Sequence, residues 1–277
     1  MIIDNNCICS ILDKEKEKEM NKLLLSSDTL TWYWLDFVFE TAKNLNFDGI
    51  DLAMRKNFDS WNSQYVVKLQ NDHGINICSI QVSENANIKE LNQAVDLANK
   101  TWCDVITINS PKFFNISSYR FLDNNIEKFR ENYPKIKFSI INPPKESFFA
   151  LPIPKFHFTN IIDIIKNYKC FLGLDISNMD TYELENIFIK KIKDFAPYVS
   201  NIYLSDKNTQ GKNHLVLWDW NIKIWSILKE FFEYKYQWYF SIKISLEKKD
   251  LADMEKVNIL LSRCKKYFDD NYNNKKY

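Results

Sequence analysis

Short apolar runs alternate with amphipathic stretches along nearly the whole chain. The runs fall at residues 7–12, 47–53, 75–81, 104–110, 136–142, 170–177, 199–206 and 239–246. Each has the length of a strand and is rich in Ile, Val, Phe, Leu or Cys. The stretches between them carry a helical period. In residues 31–45 the apolar positions Leu35, Val38, Phe39, Ala42 and Leu45 share one helix face. The same spacing predicts helices over 60–70, 88–100, 117–133, 156–168, 180–195, 222–232 and 251–268. Asp180 with Glu183 three residues on reads as a capping box.

Strand–helix units repeated in this way imply parallel strands buried on both faces. The expected fold class is α/β, a single (β/α)8 TIM barrel. It spans residues 1–268, with 269–277 as a polar, frayed C-terminal tail. The 277 residues suit one such barrel, typically about 250 residues. Function in this architecture sits at the C-terminal ends of the strands. Two connections there, 143–155 and 207–221, are longer than a turn needs and are expected to cover a site.

Composition changes the picture at one point. The chain has only four glycines, where average usage of about 7% would give roughly twenty. Tryptophan is plentiful at eight, and several tryptophans stand where a turn favours glycine: Trp102, Trp218, Trp220 and Trp238. Two explanations stay open. The gene reads UGA as glycine and the conceptual translation wrote Trp, or an AT-biased genome replaced glycines with Asn and Lys and these are ordinary tryptophans.

Charge and cysteine content narrow the function classes. The net charge is +1 with both signs mixed throughout, which argues against nucleic acid as the main partner. The run KEKEKE at 14–19 reads as a solvated loop or helix start. No apolar stretch approaches the length of a membrane span, and the N-terminal residues have no basic n-region with a following apolar core, so a cytoplasmic protein is expected. The six cysteines lie mostly inside or beside the predicted strands and read as small core residues, without metal spacing.

Several motifs, in order along the chain, resemble the xylose isomerase-like barrel superfamily of sugar and sugar-phosphate isomerases and epimerases, which also holds the endonuclease IV type of repair enzyme. Residues 47–52 (FDGIDL) resemble the second-strand "GFDGIEL". Residues 138–144 (FSIINPP) resemble "LALENHP", and 172–178 (LGLDISN) resemble "VGLCLDTGH". Residues 201–206 (NIYLSD) resemble "IVHVHLKD". The segment 214–222 (HLVLWDWNI) is similar to "HLPLGEGDI", with Trp218 and Trp220 at its glycines, and 237–244 (QWYFSIKI) to "DGWLSLEI".

The resemblance implies one divalent metal (Mn, Mg, Co or Zn) held by Glu, Asp, His and Glu from strands five to eight. Those positions fall on Ile141, Asp175, Tyr203 and Lys243. Only Asp175 matches, so no metal and no other cofactor is expected. Lys243 is expected to pair with Asp175 in the vacated place, as a structural ion pair or as a reactive amine. These two are the candidate catalytic residues. Asp51, Gln81, Asn109, Asn142, Asn178, Tyr203, Asp206 and His214 are the candidate substrate contacts, suited to a small polyol, sugar or sugar phosphate. Arg55 and Lys56 form a weaker phosphate-binding candidate, and His73 and His157 read as partnerless. The implied function is a sugar or sugar-phosphate isomerase/epimerase that has diverged, being metal-independent or inactive. A non-catalytic polyol-binding or regulatory barrel is the alternative. A repair nuclease, with its many histidine ligands, is disfavoured by three histidines in the chain.

Overall fold

The computed structural model describes residues 22–84, 86–110, 116–142, 147–148, 151–152, 165–184, 188–218 and 221–273. Eight parallel strands close into a barrel: β1 Lys22–Ser26, β2 Gly49–Ala53, β3 Ile77–Gln81, β4 Val105–Asn109, β5 Lys137–Ile141, β6 Phe171–Asp175, β7 Val199–Leu204 and β8 Tyr239–Ile242. β1 closes the ring, with Leu24 in register with Gly49 on one side and Ser241 on the other. The expected (β/α)8 fold is therefore present.

One strand assignment is corrected. The barrel begins at Lys22–Ser26 and not at 7–12, which lies outside the described residues, as does the charge run at 14–19. The stretch KLLLS is short and follows a charged segment. Its Leu residues are nonetheless fully buried, which requires a strand inside the barrel.

The helices α1 Leu35–Asn44, α2 Ser63–His73, α3 Ile88–Thr101, α4 Ile116–Asn132, α5 Ile224–Glu233 and α6 Met254–Phe268 follow the sequence period to within a few residues. α3 shows the local logic. Asn87 accepts a hydrogen bond from the Glu90 amide as N-cap, and Leu91, Ala94, Val95 and Ala98 bury one stripe. The single helix expected over 180–195 is instead split, its described parts being Thr181–Glu183, a 3-10 turn Ile189–Lys191 and Ile192–Phe195. The tail is also corrected. Residues Asp269–Asn273 continue as a π-helical turn, and Tyr272 is buried against Phe240 and Phe268, because an aromatic in the polar stretch finds an open edge of the core. Among the described residues no helix is long and apolar enough to cross a membrane.

The strands are two-faced. Leu23 and Leu25, Ile50 and Leu52, Leu172 and Leu174, Ile202 and Leu204 join the apolar layer under the helices. The alternate positions turn into the barrel, and most of those are polar: Ser26, Asp51, Ser79, Gln81, Thr107, Ser139, Asn201 and Ser241, all buried. They satisfy one another, as buried polar groups must. Ser241 Oγ donates to Asn201 Oδ1 (2.9 Å), and Tyr203 Oη donates to Thr107 Oγ1 (3.2 Å). Gly173 makes room for this packing, since a Cβ there would sit 3.0 Å from Thr107 Cγ2 and 3.3 Å from the Tyr203 ring.

Burial also decides the cysteine reading for the described thiols. Cys78, Cys103, Cys170 and Cys264 are all buried. Burial pushes the Cys78 and Cys170 thiols up to about 12, so neither is a nucleophile at neutral pH.

Trp102 occupies the left-handed C-cap of α3 at φ 60°, with 90% of its surface exposed. A Cβ-bearing residue pays roughly 1 kcal/mol in that conformation, which glycine avoids. Trp102→Gly is therefore expected to stabilise the fold by about 1 kcal/mol, read as a raised urea midpoint. Trp218 and Trp238 are placed differently, packed beneath Arg263 (4.4 Å to the ring centroid) and Lys137 (3.9 Å).

Candidate functional site

A cavity of about 340 Å³ opens at the C-terminal ends of the strands. Its lining includes Asn109, Asn142, Asp175, Asn178, His214 and Lys243 from the sequence expectations, together with Asp28, Lys56, Glu84 and Ser245.

Asp175 ends β6 and is held rigidly from behind. Asn142 bridges β5 and β6 as a side-chain rung: its Oδ1 accepts from the Asp175 amide (2.6 Å) and its Nδ2 donates to the Asp175 carbonyl (2.8 Å). Oδ1 of Asp175 accepts from the Ser177 amide (3.2 Å) and hydroxyl (2.8 Å). Oδ2 has no hydrogen-bond partner and is buried. It faces His214 Nε2 at 3.8 Å and Lys243 Nζ at 3.9 Å.

Lys243 follows β8, and its side chain is 13% exposed. Its ammonium donates to Gln81 Oε1 (3.2 Å), lies 3.7 Å from Asp28 Oδ2 and sits 5.0 Å from the centre of the Tyr203 ring. Gln81 is fixed in turn. Its Nε2 donates to Ser26 Oγ (3.3 Å) and to Asp51 Oδ2, which orients its carbonyl toward Lys243. Asp51 is buried beneath this layer, and loss of hydration raises its carboxyl to about 6 against the hydrogen bonds and the Lys243 charge that lower it.

His214 comes from the loop after β7. Asp206 and Leu215 pair as an antiparallel bridge, which folds that loop back over the barrel. The His214 backbone is left-handed at φ 59°, and its carbonyl accepts from the Ser245 amide (2.6 Å). Its Nδ1 lies within hydrogen-bond reach of Ser177 Oγ (3.3 Å) and Ser205 Oγ (3.2 Å), which leaves Nε2 toward Asp175.

The remaining expected contacts divide. Asn178 Nδ2 donates to the Asn142 carbonyl (2.9 Å), and Asn109 Nδ2 donates to the Val82 carbonyl (3.1 Å); both still line the cavity. Three residues lie elsewhere. Tyr203 is a fully buried floor residue bonded to Thr107. Asp51 lies one layer below the cavity. Asp206 is buried and accepts from the Lys207 (2.7 Å) and Ile222 (3.0 Å) amides, so it pins the loop that carries His214. Polarity at a strand end does not separate a residue that faces a ligand from one that ties down the backbone. His73 is likewise corrected: it has a partner, Asp36 Oδ1 at 2.8 Å, while His157 lies outside the described residues.

The barrel fold has solved counterparts. A D-tagatose 3-epimerase-like protein is similar at 17% identity over 89% of this chain and 99% of its own, with a TM-score of 0.62. An L-ribulose 3-epimerase is similar at 12% identity over 90% and 93% (TM-score 0.64), and an E. coli 3-keto-D-glucoside 4-epimerase at 10% over 88% and 99% (TM-score 0.63). The chain shares the barrel fold of these proteins. No protein-family model matches the chain, and no curated protein matches it.

Within this barrel, the four positions that the resemblance assigns to metal ligands converge on the cavity or its floor. Ile141 and Asp175 line it, Lys243 reaches in from β8, and Tyr203 lies under the ammonium. Asp28, Glu84 and Ser245 were not anticipated. Asp28 follows β1, and locating that strand at 7–12 hid it.

Proposed function

We propose that this barrel binds a sugar or small polyol at the strand ends, and that an ammonium–carboxylate–imidazole cluster works there without a metal. Asp175 Oδ2 carries the reading. It is a buried carboxylate oxygen with no hydrogen-bond partner, aimed at Lys243 and His214 across a polar cavity. A substrate hydroxyl would supply the missing donor.

The donor set does not fit the divalent ion that the resemblance implies. Among the described residues no group of three or more His, Cys, Asp or Glu side chains is spaced to hold an ion. The Lys243 ammonium stands 3.9 Å from the same carboxylate, and Ile141 and Tyr203 fill the other positions. A divalent ion would lack ligands and meet a fixed positive charge.

The cluster instead suits proton transfer next to a carbonyl, the chemistry of isomerases and epimerases. Lys243 donates a hydrogen bond to the carbonyl oxygen of an open-chain sugar and stabilises the enediolate oxygen as charge develops. His214 Nε2 takes the proton from the neighbouring carbon and returns it to the former carbonyl carbon, while Lys243 gives a proton to the carbonyl oxygen and takes one from the adjacent hydroxyl, which completes an isomerisation. Asp175 accepts from a substrate hydroxyl, and Ser177 and Ser205 at Nδ1 keep the imidazole oriented.

A second reading, a non-catalytic sugar-binding barrel, draws on the three contacts that cage Lys243: Gln81, Asp28 and Asp175. Ketoses and aldoses incubated with the protein in D2O separate the two. Deuterium entering a carbon-bound position, unaffected by chelator and lost in Lys243→Met and His214→Asn, is the expected result. Sugar binding by calorimetry without exchange would favour the second reading. Activity abolished by chelator and restored by manganese would overturn the metal-free centre.

A further inference from the structure

We propose an anion subsite beside the main cavity, built on Arg55 and Lys56, that takes the phosphate of a phosphorylated sugar. The inference rests on the sugar-binding reading and names the substrate class.

A second cavity, about 350 Å³, shares Asp28, Lys56 and Ser245 with the first as a common wall. The two cavities lie side by side, the first for the sugar and the second for its phosphate. Thr31, Trp32 and Arg55 form part of its remaining lining.

Arg55 is built into place. Its backbone is held at φ 64°, a conformation that disfavours a Cβ, and its amide donates to Ser60 Oγ (2.7 Å). That turn, directly after β2, sends the side chain over the barrel mouth. Glu90 then fixes the guanidinium from behind. Its carboxylate is 1% exposed, accepts from the Ser83 amide (2.6 Å) and hydroxyl (2.8 Å), and lies 3.5 Å from Arg55 Nε. Contact at Nε leaves the terminal nitrogens of the fork, the edge that grips a phosphate, on the side away from Glu90.

Lys56 supplies the second cation, between the two cavities. Its ammonium lies 3.6 Å from Asp28 Oδ1, while Asp28 Oδ2 lies 3.7 Å from Lys243. Asp28 thus divides its charge between two lysines. Each cation has one carboxylate beside it, yet the Arg55 and Lys56 side chains stay 50% and 47% exposed, so both can still turn donors to a dianion in the second cavity.

Calorimetric titrations with D-fructose, D-fructose 6-phosphate and inorganic phosphate test the proposal. The phosphate ester is expected to bind at least about tenfold tighter than the free sugar, the weight of one or two charge-assisted hydrogen bonds. Arg55→Met should remove that advantage and leave fructose affinity unchanged. Arg55→Lys should restore part of it, since charge returns without the fork. Unchanged circular dichroism and melting temperature would show that each variant folds. Equal affinity for the sugar and its phosphate overturns the subsite and leaves the sugar reading standing. Arg55-dependent binding of inorganic phosphate, with no added affinity from the sugar, keeps the subsite and overturns the sugar reading. Failure of all three probes to bind overturns both.

Discussion

Lys243→Met is expected to lower the unfolding free energy by about 3 kcal/mol at neutral pH, the cost typical of breaking a largely buried ion pair from one side. The ammonium is the shared counter-charge of Asp175 and Asp28 and the donor to Gln81. Without it, the Asp175 carboxylate, 1% exposed, loses its ammonium partner, and Oδ2 faces a methyl group. Asp28 suffers less, because Lys56 remains beside it. The second substitution Asp175→Asn should therefore recover much of the loss, since a neutral amide needs no counter-ion. The double mutant is expected to be more stable than Lys243→Met alone, with a coupling of about 1–3 kcal/mol. Urea denaturation of the four members of the cycle measures it. A single-mutant cost below about 0.5 kcal/mol, the size of an ordinary surface change, would mean that solvent and not Lys243 satisfies the carboxylate.

The fold was legible because burial under helices writes apolar residues at alternate strand positions. That signal is strong from β2 to β8, where runs such as LGLDI or NIYLSD flank a barrel interior of Ser, Thr, Asn and Asp. It failed at β1, where three leucines after a lysine-rich stretch make a shorter apolar run than the one at 7–12. The cost was Asp28, which touches both Lys56 and Lys243 and stands at the junction of the two cavities. The pairing of Lys243 with Asp175 was legible from the resemblance, because homologous strand positions converge on one axis whatever residues they carry. The resemblance could not say that Asp206 and Tyr203 turn away from the cavity. Asp206 finds two backbone amides and Tyr203 finds Thr107, partners set by local loop geometry and by the barrel interior. The role of Glu90 was equally hidden. It sits on the buried side of α3, where a carboxylate is costly until Ser83 and Arg55 answer it.

Stability is expected to fall by on the order of 3 kcal/mol as pH rises from about 4 to about 6, on account of one residue. Asp51 is buried among Ser26, Ser79 and Gln81, and dehydration lifts its carboxyl from the ordinary 3.8 to about 6 in the folded protein. Below pH 3.8 both folded and unfolded chains hold the proton. Between 3.8 and 6 the folded chain keeps it and the unfolded chain releases it. The native state then binds more protons, so the unfolding free energy declines with rising pH, and the decline is complete above 6. Asp51→Asn removes this slope. The difference between the unfolding free energies of the native protein and Asp51→Asn, measured from pH 4 to 8, should trace the titration and favour the variant at the alkaline end. A difference that stays flat would show that Asp51 titrates alike in both states. Lys243 adds a diagnostic. Its charge is among the influences that hold the Asp51 carboxyl down, and Gln81 links the two side chains. In a Lys243→Met background the same decline should begin in the same place and extend to higher pH. The two residues report on each other because the Lys243 charge acts on the Asp51 carboxyl through space and Gln81 bonds to both.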